Sequence, residues 1–315
     1  MDPLLAPSGD FGALRQRYRD DKTALFALLR DQGASTRGVR QALQQLSRLT
    51  DQTLRELWSR AGFGTGFSLI AVGGYGRGEL FPYSDVDVLV LLPDGAQPDE
   101  DAELKKQIEG FIGACWDLGL EIGSSVRSVS DCVNESAKDV TVQTSMLESR
   151  LICGSKSAFN RLVTQLDEAM DPKAFYVAKT LEMRQRHTKY ENTPYSLEPN
   201  CKESPGGLRD LQIILWVSKA AGLGRSWDDL ARKGLATPLE ARQIKANEAL
   251  LSLIRARLHL LANRREDRLV FDLQTAVAES FGFKAQVPAV ITPGPPRPPH
   301  AAPTAKGTRR ASEAL

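Results

Sequence analysis

Apolar residues recur with helical spacing in the first sixty residues and with strand spacing after them. Residues 11–31 and 39–60 carry the three-to-four-residue period of amphipathic helices. Glu100–Leu118 has the same period and predicts a further helix. Three short apolar or alternating runs predict strands: Phe67–Val72, Asp85–Leu92 and Leu120–Val129. Alternation of strands and helices indicates a layer of sheet and helix in the first half of the chain.

The second half of the chain has a different pattern, which is mostly helical from Asp131 onward. The predicted helices are 139–151, 155–169, 172–190, 207–221 and 238–262, with a Pro-, Asn- and Gly-rich loop at 192–207. From Pro288 to Pro303 prolines dominate, which predicts a disordered tail because such a segment cannot build a packed core. Four segments are therefore expected: helices at 1–61, a sheet-containing core at 62–137, a helical domain at 138–284 and a tail at 285–315.

Composition places the chain among ordinary globular proteins. Of its 315 residues, 42% are hydrophobic and 25% are charged, and the net charge of +2 is too small to indicate a nucleic-acid partner. The four cysteines lack the spacing of a zinc site or a disulfide framework. The N-terminus does not resemble a signal peptide, and no apolar run approaches the roughly 20 residues of a membrane span. We expect a cytoplasmic protein with no membrane partner.

The chemistry is concentrated between Leu69 and Leu92. Asp85 and Asp87 stand two apart at the start of an apolar strand, so their side chains project to one face. Two adjacent carboxylates on a core strand repel each other and lose hydration, and a divalent cation such as Mg²⁺ would offset both costs. This pair is predicted to be catalytic and metal-binding.

A glycine turn precedes the pair and predicts a phosphate site. Gly73 and Gly74 permit a tight turn and a close approach of backbone to ligand, and the segment after them is expected to start a short helix. Arg77 supplies a fixed cation with donors suited to phosphate oxygens. Ser84 is added to the nucleotide-binding candidates, although its place in a turn would also explain it. Together these features predict two-metal nucleotidyl transfer.

Two motifs carry a resemblance to a known family. GGYGRGELFPYSDVD, from residue 73, resembles the catalytic domain of bacterial PII-protein uridylyltransferase/uridylyl-removing enzymes, within the nucleotidyltransferase superfamily. Asn200–Asp210, NCKESPGGLRD, resembles a second motif of that family, and the similarity runs from about residue 11 to residue 284. The resemblance implies an α+β, polymerase-beta-like domain followed by a helical domain. It also implies UTP and the PII protein as partners.

The family resemblance leaves the third carboxylate of the superfamily open. Glu121 is the chosen candidate, as a catalytic and metal-binding residue, and Asp139 is the rival. The resemblance implies transfer of UMP from UTP to a PII tyrosine. The metal-dependent HD hydrolase domain and the glutamine-sensing ACT domains of the family find no counterpart in the sequence, so we expect no uridylyl removal and no glutamine sensing. Transfer to another acceptor, and an inactive fragment that binds nucleotide or PII, are the alternatives.

Overall fold

Four strands form a mixed sheet, in a computed structural model that describes residues 9–31 and 36–284. The strands are β1 (Ser68–Ala71), β2 (Val86–Leu91), β3 (Ile122–Arg127) and β4 (Arg150–Gly154). Their order across the sheet is β3-β2-β1-β4. β1 runs antiparallel to both β2 and β4, whereas β2 and β3 are parallel. In that parallel register Asp87 lies opposite Gly123.

Helices pack around the sheet, and turns and loops connect the elements. They are α1 (Gly9–Asp31), α2 (Val39–Ala61), α3 (Gly73–Gly76), α4 (Ala102–Leu118), α5 (Val129–Lys138), α6 (Val140–Leu147), α7 (Lys156–Glu168), α8 (Pro172–Lys189), α9 (Leu208–Ala220), α10 (Trp227–Arg232), α11 (Pro238–Ala262) and α12 (Phe271–Ser280). Within the described ranges, no helix combines the length and the apolarity that crossing a bilayer requires.

The sheet is buried on both faces, which explains its nearly continuous apolar strands. On one face Val86, Val88 and Val90 join a core that includes residues of α1, α2 and α4. On the other face Leu89 and Leu91 pack in a second cluster with residues of α5 and α7. Alternation along β2 assigns Asp87 to this second face, at the end where the apolar cluster stops.

The α+β class predicted from the sequence is confirmed. The three predicted strands correspond to β1, β2 and β3 with ends shifted by one or two residues. The helix predicted at 139–151 is wrong in its last part, because Arg150 already belongs to β4 and pairs with Ala71. The backbone of Arg150 hydrogen-bonds in the sheet with β1, which is distant in the chain, so the local sequence does not indicate a strand here.

The predicted domain boundaries stay predictions. The described residues up to Phe283 belong to one compact unit. β4 lies beyond the boundary predicted after residue 137 and nevertheless completes the sheet. The tail predicted at 285–315 lies outside the described residues.

Candidate active site

A cavity of about 290 Å³ opens at the end of the sheet where β1 stops and β2 begins. Residues of α6, α8, α9 and α11, and of the segments before α9 and after α11, complete its wall. Six of the seven predicted site residues line it: Gly73, Gly74, Arg77, Ser84, Asp85 and Asp87. The glycine turn and the aspartate pair are also joined directly, because the Val72 amide donates a 3.0 Å hydrogen bond to the Asp87 carbonyl.

The Asp87 carboxylate occupies a space kept open by two glycines. A Cβ atom added to Gly123 would lie 2.6 Å from Asp87 Oδ1, and one added to Gly73 would lie 3.6 Å from Asp87 Oδ2. Gly73 also has φ of +56°, a left-handed conformation that most side chains disfavour. The carboxylate therefore stands between the glycine turn and β3, with no side chain from either glycine in the way.

The two carboxylates lie close enough for the charge of Asp85 to disfavour ionisation of Asp87, and a bound cation would offset this repulsion. Burial raises the pKa of Asp87, and the neighbouring charge of Asp85 raises it further. Lys202 and Arg265 offset part of this rise. Asp85 is half exposed and forms a 2.5 Å ion pair with Arg265 Nη1. The guanidinium of Arg265 therefore compensates part of the negative charge of Asp85.

These residues fit a divalent cation. Mg²⁺ is commonly held by one or two carboxylates and by phosphate oxygens of the substrate rather than by a full set of protein ligands. Across residues 9–31 and 36–284, no cluster of three or more His, Cys, Asp or Glu side chains gathers as a metal site, so Asp85 and Asp87 stand as a pair. The two glycines leave room at Asp87 for an ion and its remaining ligands.

The glycine turn is held in place by a buried network beneath it. Tyr75, in α3, donates its hydroxyl hydrogen to Asp51 of α2. Arg150 of β4 donates to both oxygens of Asp51, at 2.6 and 3.0 Å, and lies over the Tyr75 ring. Burial and the Asp51 carboxylate raise the pKa of Tyr75 well above its ordinary value, which keeps the hydroxyl as a donor. α3 is therefore anchored to α2 and to the sheet.

Arg77 and Ser84 occupy two further parts of the wall. Arg77 Nη1 forms a 3.2 Å ion pair with Glu148, and Arg77 Nη2 lies 3.7 Å from the position of a Cβ on Gly74. The guanidinium thus folds back over the glycine turn. Ser84 Oγ is buried and, among the described residues, has no hydrogen-bond partner. A polar ligand in the cavity would supply the missing partner.

The two candidates for a third carboxylate lie elsewhere. Glu121 lines a separate, small cavity with Tyr18 and Lys22. Its charge raises the pKa of Lys22, although burial outweighs this effect and lowers that pKa overall. Asp139 caps α6 and accepts a 2.6 Å hydrogen bond from the Thr141 amide. The structure does not bring either of them into the cavity that contains the aspartate pair.

Several cations of the cavity were missed as site residues. Lys202, Arg255 and Arg265 all line it. Lys202 and Arg209 stand in the motif NCKESPGGLRD, which was recognised without a role for the lysine. Arg265 stands in a run of charges that a solvated helix end would also produce, so nothing local separates it from a surface residue.

A methyl group at residue 123 should disturb Asp87 without unfolding the protein. Gly123 is exposed, and its Cβ would meet only the carboxylate of Asp87 within 4 Å. Gly123→Ala is therefore expected to displace that carboxylate and to weaken Mn²⁺ binding about 10-fold, with a melting temperature close to that of the wild type. Mn²⁺ titration followed by electron paramagnetic resonance measures this. Gly113→Ala, at an exposed position of α4 where the added Cβ meets nothing within 4 Å, is the control. Unchanged Mn²⁺ affinity in Gly123→Ala would contradict the assigned position of Asp87.

Comparison with known protein families gives two matches. Residues 51–148 match the model of the nucleotidyltransferase domain. Residues 174–290 match the family model described as GlnD PII-uridylyltransferase. The first match contains the glycine turn and the aspartate pair, and the second contains Lys202 and Arg265.

Curated relatives agree with these matches. The chain is 54% identical over 284 residues to the bifunctional uridylyltransferase/uridylyl-removing enzyme of Burkholderia orbicola (strain AU 1054), which covers 90% of this chain and 32% of that protein. The enzyme of the same name from Cupriavidus pinatubonensis is 57% identical over 271 residues, 86% of this chain and 30% of that protein. The chain therefore spans about a third of the length of these relatives. The resemblance seen in the two motifs is confirmed.

Proposed function

We propose that this chain transfers UMP from UTP to a protein tyrosine. Its nucleotidyltransferase domain and its similarity to the bifunctional uridylyltransferase/uridylyl-removing enzymes support the proposal. The acceptor is the hydroxyl group of a tyrosine on the PII protein, and pyrophosphate is released. One observation carries the proposal: two aspartates and a double-glycine turn share one cavity that several cationic side chains line.

Asp85 and Asp87 are the residues that would hold Mg²⁺. When bound, Mg²⁺ supplies a Lewis acid that acidifies the acceptor hydroxyl and neutralises charge on the triphosphate. The carboxylates provide oxygen ligands on one side of the ion and leave the other side to phosphate oxygens. Glu121 and Asp139 take no part in this assignment, because they lie outside the cavity.

The cations of the cavity have the role of binding the triphosphate. Arg77 lies over the glycine turn, where backbone approaches phosphate most closely. Lys202 and Arg265 act on Asp87 electrostatically, so they lie near enough to the pair to bind a phosphate there. Burial, with Arg255 and Arg209 nearby, lowers the pKa of Lys202, and an anionic ligand beside Lys202 would raise that pKa again. Fixed cations around a transferring phosphoryl group stabilise the charge that develops on it.

The reaction joins the tyrosine oxygen to the α-phosphorus of UTP and breaks the bond between that phosphorus and the bridging oxygen of pyrophosphate. The mouth of the cavity beside Asp85 and Arg265 is the side open to solvent, since both side chains are about half exposed. A protein tyrosine can therefore approach from this side while the triphosphate rests against the glycine turn.

Transfer is tested with UTP labelled at the α-phosphate, Mg²⁺ and purified PII. We expect label on a tyrosine of PII, and none when UTP is labelled at the γ-phosphate instead. A PII variant with phenylalanine in place of that tyrosine is the control for the acceptor. Label on a different acceptor would favour the alternative nucleotidyltransferase, and nucleotide binding without any transfer would favour an inactive fragment. Either result would overturn the proposal.

A further inference from the structure

Asp267 joins its own segment to three others near the site. Its carboxylate accepts a 2.6 Å hydrogen bond from Arg255 Nε and a 2.9 Å hydrogen bond from His259 Nε2, both on α11. Its backbone carbonyl accepts from the amide and the thiol of Cys201, at 2.8 and 3.1 Å. His259 also donates through Nδ1 to the carbonyl of Pro82. Asp267 thus contacts α11 and the segment around Cys201 directly, and it is connected to the turn at Pro82 through His259.

Each connected segment carries a charged group of the site. Pro82 lies three residues before Asp85, in the turn that leads into β2. Cys201 is followed directly by Lys202, and Asp267 follows Arg265 by two residues. The segments around Cys201 and Asp267 are further tied by a bridge between Asn200 and Arg268. The positions of an aspartate and of two cations therefore depend on one shared point.

The contacts at this point are strong and largely buried. His259 is fully buried, and only 8% of the Arg255 side chain and 14% of the Asp267 side chain are exposed. Both ring nitrogens of His259 face oxygen atoms, Nδ1 the carbonyl of Pro82 and Nε2 the carboxylate of Asp267. Burial alone would raise the pKa of Asp267, but the hydrogen bond from His259 and the charge of Arg255 hold it well below its ordinary value. The carboxylate of Asp267 therefore stays ionised, and it holds the side chains of Arg255 and His259 in place.

Arg255 extends the same connection to the wall of the cavity. Its guanidinium lies 4.1 Å from the centre of the Phe81 ring, the residue directly before Pro82. Both the ring and the carbonyl of the Phe81–Pro82 turn are therefore held by side chains that meet at Asp267. This turn leads directly into Asp85, so a displacement of the turn would move the aspartate pair.

We infer that Asp267, together with His259, is a positioning residue of the nucleotidyl-transfer site, which sets where Asp85, Lys202 and Arg265 stand. The inference rests on the proposed function of that site. Asp267 itself is not among the residues that line the cavity of the aspartate pair. Residues that orient metal ligands from behind typically contribute about 10- to 100-fold to metal affinity or activity.

The test is Asp267→Asn in the full chain, which keeps the size of the side chain and removes the charge shared by Arg255 and His259. We expect the Mn²⁺ dissociation constant, measured by electron paramagnetic resonance without nucleotide, to rise about 10-fold. With UTP and PII, kcat should fall by about the same factor or more, because Asp85 and the two cations are misplaced. Glu248→Gln is the matched control. Glu248 is also a partly buried carboxylate of α11, but its hydrogen-bond partner is Trp227 and not the segment around Cys201 or the turn at Pro82.

A lower melting temperature with unchanged Mn²⁺ affinity and unchanged kcat would overturn the inference, because Asp267 would then be only a stabilising residue. If Asp267→Asn does not fold, His259→Gln is measured instead. That variant keeps the Asp267–Arg255 pair and disrupts the link to Pro82, and it is expected to show the same rise in the Mn²⁺ dissociation constant. A wild-type chain that transfers no UMP and binds no Mn²⁺ would overturn the proposed function itself, which distinguishes the two failures.

Discussion

Replacement of both Asp85 and Asp87 by asparagine is expected to lower UMP transfer about 10³-fold or more. Asparagine keeps the shape of each side chain and removes the negative charge that would hold a divalent cation. The bound ion is worth several kcal/mol of transition-state stabilisation, and each 1.36 kcal/mol corresponds to a factor of ten in rate. Single-turnover transfer from UTP labelled at the α-phosphate measures the effect, and Mn²⁺ titration of the same variant should show loss of the site.

The same variant should fold at least as well as the wild type. Burial and Asp85 raise the pKa of Asp87 in the folded protein, so the ionised form of Asp87 costs stability at neutral pH. This cost disappears as the pH falls and Asp87 gains a proton, and the asparagine variant lacks it at every pH. We therefore expect an unchanged or higher melting temperature at pH 7. Asp94→Asn, at an exposed residue paired with Arg161, is the control and should keep full transfer. Full transfer by the double variant would refute the assignment of the pair.

Alanine at residue 76 is expected to destabilise the fold by about 3 kcal/mol or more. A Cβ on Gly76 would lie 1.9 Å from the carbonyl oxygen of Glu148 and 3.1 Å from that of Ala71. Both neighbours are backbone atoms of packed elements, so neither can turn aside as a flexible side chain would. α3 must instead move away from α6 and the sheet, which breaks the packing around Tyr75. Urea denaturation followed by circular dichroism measures the free energy of unfolding.

Gly113→Ala is the matched comparison for this substitution. Gly113 lies inside α4 on its exposed side, and a Cβ there meets nothing within 4 Å. Because alanine favours a helix interior over glycine, this variant should be stabilised by about 0.5–1 kcal/mol. The same change of residue thus has opposite effects at the two sites. A Gly76→Ala variant as stable as the wild type would contradict the close packing of α3 against Glu148.

The aspartate pair and the glycine turn could be predicted because they lie close together in the chain. Gly74 and Asp85 are separated by ten residues, so local geometry confines them to one end of a strand pair. The two-residue spacing of Asp85 and Asp87 also determines that both project to one face of β2. The spacing of apolar residues within each strand and helix predicted most of the α+β fold for the same reason, because this spacing is a local property of each element.

Contacts between distant residues were not predictable in this way. Arg150 belongs to β4 only because β1 offers it an unpaired edge, and its local sequence reads as the end of a helix. Glu121 stands next to a strand of the sheet, yet it faces Lys22 and Tyr18 in another cavity. Arg265 reaches Asp85 across 180 residues of chain.

Short periods and continuous motifs are enough to predict the fold class, the glycine turn, the aspartate pair and the similarity to uridylyltransferases. The folded arrangement is needed to show which carboxylates share the cavity, which cations surround them and that Asp267 joins their supporting segments. The physical reason is that charge, burial and hydrogen bonding act through space, and the chain alone does not specify which distant residues become neighbours.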